Sequence, residues 1–246
     1  MRFLPLILLL ALPALSTTAA QTSSSEKFLM AQAAYDDARY AEAALLYEDL
    51  INNGIANAEV HYNLANANFK DGDLPQAVWH YRKAWYEAPR DPDIRANLHF
   101  ALNAAGAIDP APGFVERVFE TLSHSEWIIA ATSGYLLLAV LLMAALVAPG
   151  ARRPTLKACL VPLALMVVAA GGWWQWRQLA IHPEWVVVKS EATALYGPVE
   201  GSTAHYKLPL GALARQHGSD PKGWIELEYD GKRGWLKTEY ISRVSP

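Results

Sequence analysis

The sequence predicts a multidomain membrane protein: an all-α superhelix of helical repeats, a two-helix transmembrane hairpin, and a C-terminal all-β barrel. Three observations predict it. Residues in the first hundred repeat at a shift of 34, two runs of about 20 residues carry no charge, and the last 60 residues alternate apolar with polar side chains between glycines. Composition agrees. Hydrophobic residues make up 52% of the 246 and charged residues 18%, with mean hydropathy +0.07. Soluble domains carry about 25% charged residues, so the apolar excess sits in concentrated runs. A net charge of −3 leaves no broad positive field for nucleic acid.

The chain opens with Arg2 and an apolar stretch from Phe3 to Leu15, followed by Ser16 through Ala20. A charged start, a short apolar core and small residues are the parts of a secretory signal peptide, placed at 1–20 with cleavage after Ala20. A retained membrane anchor is the alternative, although the run is short for a bilayer.

The exported segment, 24–105, carries the repeat. The shift of 34 takes Tyr40-Ala41-Glu42-Ala43 to Leu74-Pro75-Gln76-Ala77, and also Tyr47 to Tyr81, Leu50 to Ala84, Met30 to Leu64 and Ala31 to Ala65. Small residues fall where two helices would touch. Gly72 suits the break between the second pair, and Pro89 its end. The first copy has Ala38 at its turn and no closing proline. Asp93 to Ala104 reads as one further, capping helix. The motif Leu64-Ala65, Gly72-Asp73, Ala77, Tyr81, Ala84 and Pro89 resembles the tetratricopeptide repeat (TPR) over about 80 residues.

TPRs hold peptides or partner proteins on a concave face built mainly from the first helix of each pair. The resemblance places Phe28, Gln32, Tyr35, Tyr62, Asn63, Asn66, Phe69, Lys70 and Asn97 there. Amide side chains can both donate to and accept from a peptide backbone. The alternative is that these residues only pack or solvate the helices. Asn63 matches the asparagine of carboxylate-clamp TPRs, but Phe28, Asp93 and Asn97 stand where the basic partners of that clamp would be, so a clamp is not expected. The segment holds 12 acids and 7 bases, a net of −5. The excess reads as a solvated helical surface and argues against the repeat lying flat on an anionic membrane.

A linker, 106–126, follows. Pro110-Ala-Pro112-Gly113 breaks the helix, and Phe114, Val118 and Leu122 then recur every four residues. This predicts a short amphipathic helix, lying in the membrane interface or packed on the last repeat helix. Ser123 and Glu126 form a capping-box pattern at the start of the first span.

The predicted transmembrane helices are 127–148 and 158–176, joined by a loop at 149–157. A soluble helix of that length would need a polar face, and neither run has one. Arg152, Arg153 and Lys157 in the loop, with no acid, mark it as cytoplasmic. Trp127, Trp173, Trp174 and Trp176 lie at the opposite end and suit the outer interface. Charge and signal peptide give one topology: both soluble domains extracytoplasmic and only the short loop inside.

In 184–246, Val186 and Val188 alternate with polar or apolar neighbours, as do Ile225, Leu227 and Tyr229. Asp230-Gly231 before Lys232 to Leu236 is a two-residue hairpin signal. Short strands with glycine punctuation predict a small barrel. Leu195-Tyr-Gly-Pro198, Leu210-Gly211, Gly223-Trp224-Ile225 and Gly234-Trp235-Leu236 resemble the bacterial SH3 domain, a module linked to peptides or cell wall. Tyr196, Trp224 and Trp235 would supply an aromatic groove, with a core role for Trp235 as the alternative.

No chemistry is legible. Cys159, the only cysteine, lies in a span. The seven histidines show no metal-ligand spacing, and His61, His80 and His99 read as packing residues on repeat helices. No P-loop, GxSxG or cysteine–histidine signature occurs. We expect no enzyme, cofactor or metal. The order of signal peptide, TPR, membrane hairpin and SH3-like unit resembles the TPR-containing bacterial Bat (aerotolerance) proteins. That resemblance implies a component of the bacterial inner (cytoplasmic) membrane, its soluble domains periplasmic, in an envelope stress or maturation complex with von Willebrand factor A-domain membrane proteins and a MoxR-type ATPase as partners. With no chemistry legible, the residues themselves read as a non-enzymatic scaffold holding two extracytoplasmic binding modules. An accessory or divergent cell-wall hydrolase component binding peptidoglycan through its SH3-like domain is the alternative.

Overall fold

The computed structural model describes residues 12–108, 114–119, 121–148, 150, 152–181, 184–187 and 192–244. It is helical through its first three quarters, ending in an antiparallel sheet. Residues 1–11 of the expected signal peptide lie outside the described residues. So do the Pro110-to-Gly113 break and Val188.

Helix α1 (Leu12–Asp36) runs unbroken past Ala20 and pairs with α2 (Tyr40–Asn52); α3 (Ala58–Asp71) pairs with α4 (Leu74–Glu87), and α5 (Pro92–Ala104) adds the fifth layer. The caps explain these boundaries. Asn57 Oδ1 accepts from Val60 N, Asp73 from Gln76 N, and Asp91 from the amides of Asp93 and Ile94. Gly72 takes φ +91° and its amide bonds back to Asn68 and Phe69 carbonyls, a left-handed helix end that suits glycine. Ala38 occupies the matching turn with φ +59° despite its Cβ. Ala31, Ala34, Ala43, Ala65, Ala77 and Ala84 are all but inaccessible to solvent, so paired backbones approach closely around Tyr47, Leu50, Leu64 and Val78.

Two helices are long and apolar enough to cross a membrane. The first, α7 (His124–Val147), opens on the predicted capping box: the Ser123 hydroxyl accepts from Glu126 N, and the Glu126 carboxylate accepts from Ser123 N. The second apolar stretch runs from Arg153 to Arg177, through α8 (Arg152–Ala158) and α9 (Leu160–Ile181). The link expected as a loop at 149–157 is therefore helical from Arg152. Both helices are apolar around their circumference, with Leu136, Val140, Met143, Val161 and Val167 exposed on their outer sides. They pack antiparallel: Gly134 meets Met166, and Gly172 lies under the ring of Trp127.

The linker helix α6 (Phe114–Phe119) is shorter than the expected stripe and is turned differently. It packs on α9, where Phe119 covers Gly171, whereas Val118 is exposed.

The sheet contains β1 (Glu184–Val187), β2 (Ala192–Leu195), β3 (Ala204–Leu208), β4 (Leu213–Asp220), β5 (Trp224–Tyr229), β6 (Lys232–Lys237) and β7 (Ile241–Val244), in spatial order β3-β2-β6-β5-β4-β1-β7. Among the described residues β3 and β7 are not paired with one another, so the antiparallel sheet is open. Asp230 and Gly231 have φ +51° and +70°, the two left-handed positions of the tight hairpin expected between β5 and β6. Ile225, Leu227, Tyr229, Leu236 and Ile241 face the core; Glu226 and Glu228 stand opposite Trp235 and Arg233 on the other face.

Candidate functional site

The residues expected on a concave face fall into two groups. Tyr62 and Asn66 on α3, Tyr81 on α4 and Asn97 on α5 form one hydrogen-bonded cluster. Tyr81 Oη donates to Asn66 Oδ1 at 2.5 Å, Asn97 Nδ2 donates to Tyr62 Oη at 2.8 Å, and Asn97 Nδ2 also reaches Asn66 Oδ1 at 3.4 Å. Burial pushes the Tyr81 phenol up and the neighbouring Tyr62 and Tyr35 push it further, so it stays protonated and donating. Burial, with Tyr40 next, also raises the Tyr35 phenol. With Oδ1 doubly engaged, the Asn66 amide is held in one orientation and keeps its Nδ2 as a donor. Asn63 is half-buried and makes no side-chain hydrogen bond among the described residues.

The remaining members are more separate. Gln32 and Lys70 are exposed; Phe69 lies against Phe100, ring centroids 5.4 Å apart. Tyr35 meets Tyr40 and Phe28 meets Tyr47 edge-on, at 5.3 and 5.6 Å. Phe28 belongs instead to an open cleft of about 810 Å³ at one end of the stack, with Leu50, Ile55 and Val60 also lining it. Tyr81 was not among the residues expected there. Its alignment with Tyr47 marked it as a helix contact, and only the fold shows that its hydroxyl bonds to Asn66.

On the sheet, Trp224 and Trp235 share one face of β5 and β6, but Trp224 is only 7% exposed beneath the Lys237 ammonium, which lies 5.5 Å from the ring centroid. Lys237 is itself paired with Glu200 at 2.5 Å. Trp235 is half-buried, with its ring over Gly218. Tyr196 is exposed and stacks on His205 at 4.0 Å. The structure thus gives Tyr196 and Trp235 accessible surface and closes Trp224.

A third constellation was not foreseen. Trp176 at the end of α9 is 1% exposed, sits edge-on to Tyr86 at 5.7 Å beside Trp85, and donates through Nε1 to the Leu122 carbonyl at 3.0 Å. Trp127 Nε1 donates to the Phe119 carbonyl at 2.9 Å, and Arg90 pairs with Glu126. The sheet docks on the same helical part. Trp79 Nε1 donates to the Arg243 carbonyl at 2.9 Å, the Tyr229 hydroxyl accepts from Ile108 N at 3.0 Å, and the turn at Gly211 lies against Ala105 and Val78. One apolar core runs through the N-terminal helices, the two long apolar helices and the sheet.

Among the described residues no three His, Cys, Asp or Glu side chains converge on a common point. No family model matches the chain, and no curated protein matches it either.

Proposed function

We propose that this chain is a non-enzymatic, membrane-anchored scaffold: a TPR-like groove and an SH3-like sheet, both extracytoplasmic, hold protein or peptide partners at a fixed place above the membrane. The observation that carries the reading is the continuous core joining the two modules to the end of the hairpin. Independent binding domains would be expected on flexible tethers, whereas buried indole-to-carbonyl bonds fix their mutual geometry. The Tyr62–Asn66–Tyr81–Asn97 cluster supports the groove as a docking face, since held amides and phenols bind an extended backbone with little ordering cost.

The order of segments favours a role with Bat-type partners, von Willebrand factor A-domain membrane proteins and a MoxR-type ATPase, in envelope stress or aerotolerance. The positive link at Arg152, Arg153 and Lys157 favours an inward-facing turn. In-cell crosslinking with partner identification tests the groove: Asn63→Ala, Asn66→Ala and Asn97→Ala together should remove a crosslinked partner, and an unchanged partner set refutes it. Topology is tested with Ser219→Cys and Arg152→Cys in a Cys159→Ala background. An impermeant thiol reagent should label the first and not the second.

A further inference from the structure

We propose that the buried His61–His80 pair is an acid-sensitive latch, which keeps the C-terminal sheet docked on α4 at neutral pH and releases it on acidification. The two rings lie between α3 and α4, 5% and 6% exposed, stacked at 5.3 Å with Nδ1 facing Nδ1 at 3.1 Å. That contact requires one ring to donate its Nδ1 proton and the other to offer a lone pair, so at least one imidazole must stay neutral for it to hold. A first proton places a positive charge in a buried site, and a second sets two N–H groups against each other.

Trp79 is the mechanical link. Its ring meets His80 edge-on at 4.5 Å and His61 at 6.3 Å, and its Nε1 donates to the Arg243 carbonyl on β7. Separation of the histidine rings therefore displaces the residue that ties α4 to the sheet. The surrounding charges oppose protonation. Lys83 on α4 acts directly on both rings; Arg243 on β7 adds its positive charge beside Lys83, and Glu87 partly offsets it. Glu59 on α3 is exposed, and β1, also packed on α4, brings Glu184 by register opposite Val244.

Burial pushes His61 down to about 4, with Lys83 adding to the shift, and His80 down to about 3, with His61 and Lys83 adding. A histidine freed to water returns to about 6.5. Docking is thus favoured fully above that value and loses ground as pH falls towards the docked value, because the released state binds the extra proton. From pH 7 to pH 5, one such histidine raises the released-to-docked ratio about 20-fold.

The test uses the full chain in lipid nanodiscs, with spin labels at Glu48→Cys and Lys222→Cys in a Cys159→Ala background. Pulsed dipolar distances should show one docked population near pH 7 and a second population growing about 20-fold by pH 5. The double variant His61→Phe, His80→Phe should abolish the change; His61→Gln, His80→Gln serves the same purpose if the phenylalanine pair misfolds. Helical circular dichroism must stay constant through the transition. An unchanged wild-type distance, a transition that persists in the folded variants, or loss of helix at the same midpoint overturns the latch.

Discussion

Gly172→Ala should loosen the pair of long apolar helices at the end that meets the N-terminal helices and the sheet. An added Cβ would lie 2.2 Å from both Cδ2 and Cε2 of Trp127. Carbon pairs rest at about 3.5 Å or more, so the indole must retreat by about 1 Å. It cannot do so in place, because its Nε1 is bonded to the Phe119 carbonyl at 2.9 Å and its ring is 7% exposed. Overpacking of this kind costs about 1–3 kcal/mol, and a lost hydrogen bond adds about 1 kcal/mol. Together these give a destabilisation of about 2–4 kcal/mol. Equilibrium unfolding of the purified full-length protein in mixed micelles, followed by tryptophan fluorescence, measures it. Gly150→Ala is the matched control, since nothing lies within 4 Å of its added Cβ. The double variant Gly172→Ala, Trp127→Ala should be more stable than the sum of the single effects by at least about 1 kcal/mol, because removing the ring removes the clash. Equal stability of Gly172→Ala and Gly150→Ala would refute the packing argument.

Further substitutions probe the other modules. Ala38→Gly should stabilise the first helix pair by about 0.5–1 kcal/mol by relieving the φ of +59°, read as a rise in the thermal midpoint. Asn68→Leu should also stabilise, by about 1 kcal/mol, because the buried Asn68 Nδ2 has no hydrogen-bond partner among the described residues; a fall in denaturant midpoint would show that the amide is satisfied in solution. Gly231→Val should cost about 1–2 kcal/mol and broaden the sheet's amide spectrum, since a β-branched residue cannot easily take the φ of +70°. Trp79→Phe keeps one aromatic ring and loses the indole's pyrrole edge together with its bond to the Arg243 carbonyl. It should weaken docking of the sheet by about 1 kcal/mol, visible as faster proteolysis between the helical part and β1.

Local grammar made much of the architecture legible. Gly72, Asp73 and Pro75 act within one turn of their own helix, as do Ser123 and Glu126, and Asp230-Gly231 encodes its hairpin without help from elsewhere. The charge-free runs became apolar helices for the same reason. Long-range pairing escaped the reading. Trp176 meets the carbonyl of a residue 54 positions away, Ile108 bonds across 121 positions and Trp79 across 164. Nothing in a local window encodes such partners. Trp224 shows the limit from the other side: its strand position put it on the correct face, but Lys237 closes it, and cross-strand cover follows from register. His61 and His80 looked like unrelated packing residues because their 19-residue separation becomes a contact only when α3 and α4 fold back on one another.

The tryptophans at the end of the hairpin connect this structure to the proposed function. Four of them fit an interfacial belt by sequence, yet only Trp173 and Trp174 are well exposed; Trp127 and Trp176 turn inward. An interfacial ring positions a helix in depth but leaves it free to rotate about its axis. A buried ring whose N–H is held by a particular carbonyl removes that freedom, because rotation would break the bond and empty its packing site. The Phe119 and Leu122 carbonyls receive one such bond from each of the two long apolar helices. The short segment between them therefore sets the orientation of both helices relative to the repeat stack, with Trp85 and Tyr86 closing the other side of Trp176. A partner pulling on the groove would transmit force through these contacts to the hairpin rather than through a loose tether. This predicts that Trp176→Phe, which keeps one aromatic ring but loses the indole's second ring and its bond to Leu122, leaves partner capture intact while broadening the distance distribution between the groove and the membrane surface. A distribution as narrow as that of the unaltered protein would show that apolar packing alone fixes the geometry.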